Sequence, residues 1–247
     1  GLLKNASENL VLNYNLGIFN PPYLSNNGTS VGPHYSPLLA GRAVLSLGDP
    51  EMKQYAIMYN MNYFNKRKGI SLALSASRQG ETDFYKSSST IGADALLNWN
   101  GINFDAEYHR MSREGQRLES NNNLRAFTYH SNVGHLRGSY NIIVGKKYFL
   151  EPVFMYVHFQ GAKDVIGQAD ATAVRSSSGA ETAYDAGLNW HLQERRLKVM
   201  LHYTWREAEP GAAGDGATVN DFFNQTKVGA IRRWNWLGLG MNAIFYQ

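Results

Sequence analysis

Apolar and polar residues alternate along most of the chain, in segments of about ten residues. The clearest segment is 197–206, where the odd positions are all apolar and the even positions include Lys198, His202 and Arg206. Breaks rich in Gly, Asn, Ser, Asp and Pro separate these segments. Because side chains along a strand point alternately to its two faces, the pattern predicts antiparallel strands with one apolar and one polar face.

The alternation predicts about twelve strands and no helix. The strands are expected over 10–18, 38–48, 54–65, 69–79, 91–99, 102–109, 133–144, 148–160, 184–192, 197–206, 222–233 and 236–246. Asn100-Gly101 and the stretch 193–196 predict tight hairpin turns. One segment differs from the others, since 149–159 is apolar on both sides.

Two architectures use strands of this kind. A soluble β-sandwich buries the apolar faces, whereas a membrane β-barrel turns them toward lipid and encloses the polar faces. Here the polar faces carry Asn, Ser, Gly, Asp, His and scattered Arg, which is typical of a wet lumen, while Lys and Glu crowd the surface of a sandwich. Aromatic residues lie near the ends of the apolar stripes, as in interfacial girdles: Trp99, Tyr108, Trp190, Tyr203, Trp205, Trp234 and Trp236.

Short and long connections alternate from about residue 99 onward, as periplasmic turns and outer loops do in membrane barrels. The long loops are expected over 21–37, 113–126, 161–178 and 209–221. The sequence therefore favours an all-β fold, a transmembrane antiparallel β-barrel of about 12 strands that forms a single outer-membrane domain over 1–247. An incomplete chain would extend the range to about 10–16 strands, and a soluble β domain remains the alternative.

The order of the connections is irregular near the N-terminal end. Two short links join the segments 38–49, 54–65 and 69–83, and the expected direction of the last strand conflicts with a periplasmic turn at Asn100. An incomplete chain would explain the conflict. Because Gly1-Leu2-Leu3-Lys4 does not begin a signal peptide, an exported protein is expected to be represented here by its mature form or a fragment.

Composition narrows the class of protein. The chain has 247 residues, of which 43% are hydrophobic and 13% aromatic, too many for intrinsic disorder. No apolar stretch is long enough for a membrane-spanning helix, and the absence of Cys excludes disulfides, thiolate metal sites and cysteine nucleophiles. The net charge of +4 includes no basic run longer than Lys66-Arg67-Lys68, which indicates no nucleic-acid partner and is compatible with small anions.

Several short stretches resemble the phosphate-selective porin O and P family. They are "NYNLGIFNPPYLSNNGTSVGPHYSPLLAGRAVLSLGDPE", "GADALLNWNGINFDAEYHR", "KKYFLEPVFMYVHFQ" and "AYDAGLNWHLQERRLKVMLHYTW". The resemblance implies an outer-membrane barrel, usually a homotrimer, that passes anions through a constriction lined by arginine and lysine. The chain differs from the family in being short for sixteen strands and in mixing acidic with basic residues on its polar faces.

Charged and histidine side chains on the predicted polar faces are candidate pore-lining residues. They are Arg42, Asp94, Asp105, Glu107, His109, Arg137, Asp185, His191, Lys198, His202, Arg206, Lys227 and Arg233. A ring of basic side chains lowers the cost of moving an anion through a narrow pore, and the arginine fork binds phosphate or carboxylate. Alternatively, the basic residues pair with the carboxylates, including Glu151, and make the wall rigid; both interpretations remain open.

We therefore expect a porin-like channel in the bacterial outer membrane for passive diffusion of small hydrophilic solutes, with a modest anion preference and no cofactor or metal. Its partners are then membrane lipid, lipopolysaccharide and small anionic or polar solutes. A closed barrel that serves as a scaffold or docks a partner is the alternative. An outer-membrane phospholipase is less favoured: His130, Ser131 and Asn132 are adjacent, and neighbours on a strand point to opposite faces.

Overall fold

The alternating segments form one antiparallel sheet. A computed structural model of the protein describes residues 2–5, 9–20, 31–52, 60–119, 122–145, 147–209 and 235–244. Its elements are β1 (Leu2–Asn5), β2 (Leu10–Phe19), β3 (Leu38–Gly48), β4 (Gly69–Gln79), β5 (Ser87–Trp99), β6 (Ile102–Leu118), β7 (Leu124–Tyr140), β8 (Ile142–Val144), β9 (Tyr148–Gln160), α1 (Val165–Ala173), β10 (Ala180–Gln193), β11 (Leu197–Glu209) and β12 (Trp236–Ala243). The prediction of an all-β fold is confirmed.

Each strand pairs with the strands before and after it in the chain, in the order β1 to β7 and then β9 to β12. β8 continues β7 beyond Asn141, and both pair with β9. The sheet is not closed in the part of the chain that the structure describes, because β1 pairs only with β2 and β12 only with β11. Closure into a barrel therefore stays a prediction.

The two faces of the sheet have opposite polarity, and the apolar face is the exposed one. Leu16, Leu74 and Leu239 are 70% exposed or more. On the opposite face, Ser46 and Asp105 are almost fully buried. Water-soluble sheets bury their apolar face, so this arrangement is the reverse of theirs and leaves an apolar surface far larger than monomeric soluble proteins usually expose.

The polar face is concave, because residues 60–68 pack against strands from both halves of the sheet. Asn98 on β5 donates a hydrogen bond from Nδ2 to the Met61 carbonyl at 2.9 Å. The Phe64 ring lies 4.9 Å from the His191 ring on β10. In a flat sheet, four strand spacings would separate β5 and β10 by roughly 19 Å, so the sheet curves around this segment.

Two predicted element bounds are wrong. The strand predicted over 54–65 does not extend over residues 60–65, since positive φ angles at Phe64 and Asn65 break an extended backbone. The loop predicted over 113–126 is shorter, because β6 and β7 continue pairing as far as Leu118 and Leu124. The predicted strand 222–233 lies outside the described residues.

Residues 161–178 are also not all loop, because they contain the helix α1, which the alternation did not predict. Asp164 caps this helix, and its side chain accepts a hydrogen bond from the Gly167 amide at 2.8 Å. Within the described residues, no helix has the length and apolar character needed to cross a membrane.

The structure removes the conflict between the expected direction of the last strand and a periplasmic turn at Asn100. β12 pairs directly with β11, with Ala243 opposite Leu197, so β12 ends beside the short turn 194–196. The turn at Asn100 lies at the same end of the sheet, which we call the turn end. The opposite end, where the connections 119–123 and 161–179 lie, is the loop end.

Candidate functional site

Most of the candidate residues occupy neighbouring rows of cross-strand pairs on the polar face. One row runs from Asp94 through Glu107 and His135 to Val157, and reaches Arg206 on β11. The next row contains Asp105, Arg137, Met155, Asp185 and Thr204. Together the rows form a belt of charge across the middle of the sheet. Lys227 and Arg233 lie outside the described residues.

Arg42 joins two carboxylates at one side of the belt. Its Nε donates to Asp94 Oδ2 at 2.9 Å, and its Nη1 donates to Glu51 Oε2 at 3.1 Å. The Glu51 side chain is only 1% exposed, so Arg42 neutralises a carboxylate that has left water. Sequence analysis missed Glu51, because it follows the break Asp49-Pro50 and not an alternating strand.

Glu151 is the centre of the largest polar network. Its Oε1 accepts hydrogen bonds from Arg137 at 2.9 Å and Ser139 at 2.6 Å, while its Oε2 accepts them from Asn189 at 2.8 Å and His191 at 3.0 Å. The Glu151 side chain is 1% exposed. All four acceptor directions of this buried carboxylate are therefore satisfied by β7 and β10, the two neighbours of its own strand.

A second network surrounds Asp185. His202 Nδ1 lies 2.5 Å from Asp185 Oδ1, and Thr204 donates from Oγ1 to Asp185 Oδ2 at 2.5 Å. His202 Nε2 lies 3.0 Å from Asn189 Oδ1, so both ring nitrogens face oxygen acceptors.

The other candidates also find partners on the polar face. Arg206 Nη1 donates to Glu181 Oε1 at 3.3 Å. His135 Nε2 lies 2.8 Å from Asp105 Oδ2, and His109 forms a hydrogen bond with Glu107. The described basic candidates apart from Lys198 are thus paired with carboxylates, the second of the two arrangements considered from sequence.

A cavity of about 630 Å³ opens on the polar face between β6 and β11. Its charged wall includes Glu107, Asp185 and Lys198. Lys198 makes no ion pair or hydrogen bond with any residue that the structure describes. The cavity therefore contains one lysine ammonium that has no partner among the described residues.

The turn end of the concave face is filled by residues 60–68. Arg67, from the basic run Lys66-Arg67-Lys68, is 2% exposed. Its guanidinium donates to Asn98 Oδ1 at 2.7 Å and to Ser71 Oγ at 2.6 Å. Tyr63 donates from its hydroxyl to the Glu51 carbonyl at 2.6 Å, and burial raises the pKa of this phenol. The only sequence signal that residues 60–68 fold onto the polar face was the end of the alternating segment 54–65 just before the basic run Lys66-Arg67-Lys68.

The loop end of the same face is covered by α1. Ala171 is fully buried in a cluster with Val31, Tyr85 and Tyr129, and burial raises the pKa of the Tyr85 phenol. Tyr129 on β7 donates from its hydroxyl to the Ser177 carbonyl at 2.6 Å. α1 therefore packs inward against the polar face, where an extended loop was expected.

We expect Gly115→Val to displace α1. A Cβ at Gly115 would lie 2.4 Å from Val174 Cγ1 and 2.9 Å from the Phe127 ring, which is too close without movement. Overpacking of this size costs about 1–3 kcal/mol, so faster amide hydrogen exchange is expected in α1. Gly138→Val is the control, since a Cβ at Gly138 meets nothing within 4 Å. Unchanged exchange in α1 of the Gly115 variant would contradict this packing.

The adjacent His130, Ser131 and Asn132 do not form a proton-transfer pair. His130 is exposed, whereas Ser131 is buried on the polar face at 4% exposure. No group of three or more His, Asp or Glu side chains with metal-binding geometry occurs in the described ranges.

Comparison of the chain with known protein families, with curated proteins and with solved structures finds no match in any of the three. The class of the protein is described by its architecture, which is a curved antiparallel sheet with an exposed apolar face and a charged concave face. The resemblance of its short motifs to the porin family stays a prediction.

Proposed function

We propose that the protein is an outer-membrane β-barrel that acts as a porin-like channel for small hydrophilic solutes. The observation that carries the proposal is the polarity of the sheet, with exposed leucines on one face and a buried belt of charge on the other. β2 to β7 and β9 to β11 contain 10 to 17 residues each, long enough to cross the hydrocarbon of a bilayer.

The aromatic residues of the exposed face support this orientation. The Tyr184 ring stacks on Trp205 and lies tilted against Tyr156, with ring centroids 5.3 Å apart in both pairs. Trp190 lies on the same strand as Tyr184, closer to the turn end, at a separation of roughly 20 Å along the strand. Aromatic residues at two levels of the exposed face are typical of the girdles of outer-membrane barrels.

Selectivity of such a channel is expected to be weak. Arg42, Arg137 and Arg206 each face a carboxylate, so their fields are largely cancelled. Lys198 lacks such a partner among the described residues and favours anions. No strong phosphate selectivity is therefore expected, and the modest anion preference that we propose depends on Lys198.

Single-channel recording in a planar bilayer tests the proposal. We expect discrete conductance steps and, under a salt gradient, a reversal potential on the anion side. Changing Arg42, Arg137 and Arg206 together to Ala is expected to move the reversal potential toward cation selectivity, because it leaves their carboxylate partners uncompensated. Since that variant loses buried pairs, Arg206→Gln alone serves as the milder version.

An alternative proposal is a closed barrel that acts as a scaffold or docks a partner. It is favoured by the packing of residues 60–68 at one end of the concave face and α1 at the other. Protein that inserts, keeps its β circular dichroism and conducts no current would overturn the channel proposal in favour of this one. Contact with lipid and lipopolysaccharide, and assembly as a homotrimer, are expected for either.

A further inference from the structure

The inner face of β9 is apolar at the centre of an otherwise polar wall. Val153, Met155 and Val157 point to the concave side and line the 630 Å³ cavity together with Met200 on β11. This explains why the segment 149–159 is apolar on both sides. A channel for strongly hydrated ions gains nothing from such a patch, because water and ions avoid apolar wall.

Charged groups surround the apolar patch through the strand register. Met155 lies between Arg137 on β7 and Asp185 on β10, and Val157 lies between His135 and Ala183. Arg137 is already held by carboxylates. Lys198, which lines the same cavity, is the cation that has no ion pair or hydrogen bond with a described residue.

From this juxtaposition we propose that the cavity binds small amphiphilic monocarboxylates, with the carboxylate at Lys198 and the apolar body against the nearer apolar residues, Val153 and Met200. The inference rests on the proposed channel function, since it names the class of solute that the channel would favour. The cavity volume falls in the range of about 300–1,000 Å³ that is usual for small-molecule sites.

The acidic residues of the cavity do not oppose such a ligand as strongly as their number suggests. Asp105 accepts hydrogen bonds from His135 and Arg137, and Asp185 accepts them from His202 and Thr204. Each carboxylate is thus already solvated by donors of the wall, which reduces the field it projects into the cavity. The Lys198 ammonium has no such compensation within the described chain.

Binding is tested by isothermal titration calorimetry on the full chain in lipid nanodiscs, with empty nanodiscs subtracted to correct for partition of the ligand into lipid. The probes are acetate, butyrate and hexanoate, with inorganic phosphate and hexanol as controls. We expect affinity to rise up to about fourfold per added methylene as each is buried. Hexanol, which lacks the carboxylate, and phosphate, which lacks the apolar body, are expected to bind at least about tenfold more weakly than hexanoate.

Two variants separate the roles of charge and apolar wall. Lys198→Met is expected to weaken hexanoate binding about tenfold, whereas Lys147→Met, at an exposed turn, is expected to leave it unchanged. Val153→Thr keeps the shape of the wall and replaces one methyl group by a hydroxyl, so it should flatten the dependence on chain length. Val165→Thr, on exposed helix surface, is its control. Thermal unfolding verifies that each variant is folded.

Equal affinity for phosphate, acetate and hexanoate would overturn the inference, and so would hexanoate binding that survives Lys198→Met. The outcome is separable from that of the channel proposal. Hexanoate binding without conductance leaves the site standing and removes the channel, whereas conductance without chain-length-dependent binding leaves the channel standing and removes the site.

Discussion

Replacing Glu151 with Ala is expected to lower the free energy of unfolding by about 3–5 kcal/mol, the largest stability effect of any single change on the polar face. The change leaves Arg137 with only Asp105 at 3.4 Å, and it leaves Ser139, Asn189 and His191 without the oxygen to which they donate. The half-buried Arg137 and Ser139 and the buried Asn189 and His191 each incur a desolvation penalty when they lose their acceptor. Unfolding in urea from detergent micelles, followed by tryptophan fluorescence, measures the loss.

The control for this variant is Glu114→Ala, which removes a carboxylate from an exposed position on β6. It is expected to change the free energy of unfolding by no more than about 0.5 kcal/mol. The double variant Arg137→Met with Glu151→Leu should regain much of the lost stability, because replacing both members of a buried pair removes the uncompensated charge. A Glu151→Ala variant as stable as the wild type would mean that this network is solvated in the protein.

Replacing Arg67 with Met is expected to raise single-channel conductance about twofold or more, if the protein conducts as proposed. Arg67 ties residues 60–68 to the sheet through Asn98 and Ser71, and its Nε donates to the Asp49 carbonyl at 3.0 Å. Without these bonds, residues 60–68 are held less firmly to β4 and β5 and narrow the turn end less. The measurement is the distribution of conductance steps in a planar bilayer.

Lys68→Met is the matched control, because Lys68 is the exposed neighbour of Arg67. Its conductance should equal that of the wild type. The two variants also differ in expected stability, since Arg67 is buried and makes several hydrogen bonds while Lys68 is not. Unchanged conductance of folded Arg67→Met protein would show that residues 60–68 do not restrict the solute path.

Strand positions were well predicted by sequence because alternation is a local property. Most predicted segments, such as 69–79 and 197–206, coincide with β4 and with most of β11. The predicted ends of strands were wrong where backbone pairing continues beyond the alternating segment, or where an alternating segment does not pair. β6 and β7 continue to pair through polar residues beyond 113, since backbone hydrogen bonds do not depend on side-chain polarity. The segment 54–65 alternates, yet its residues 60–65 fold onto the polar face.

The sequence predicted which residues belong to the candidate site, but not which of them form hydrogen bonds or ion pairs with one another. Counting positions assigns Asp94, Asp105 and Arg137 to the polar face. It does not reveal that Arg42 reaches across β4 to Asp94, or that Asp105 holds His135 as well as Arg137. Those contacts depend on the register between strands and on the length of the arginine side chain. Glu51 and Arg67 were missed for the same reason, since they belong to the connection between β3 and β4.

The amino-acid sequence by itself determined that this chain forms antiparallel strands with one apolar and one polar face, because side-chain direction follows from the extended backbone at each residue. Only the tertiary structure decided which charges neutralise one another, that Lys198 stays without a partner among the described residues, and that α1 and residues 60–68 cover the ends of the concave face. These features require segments far apart in the chain to meet. Their meeting depends on sheet curvature and register, which the local pattern leaves open.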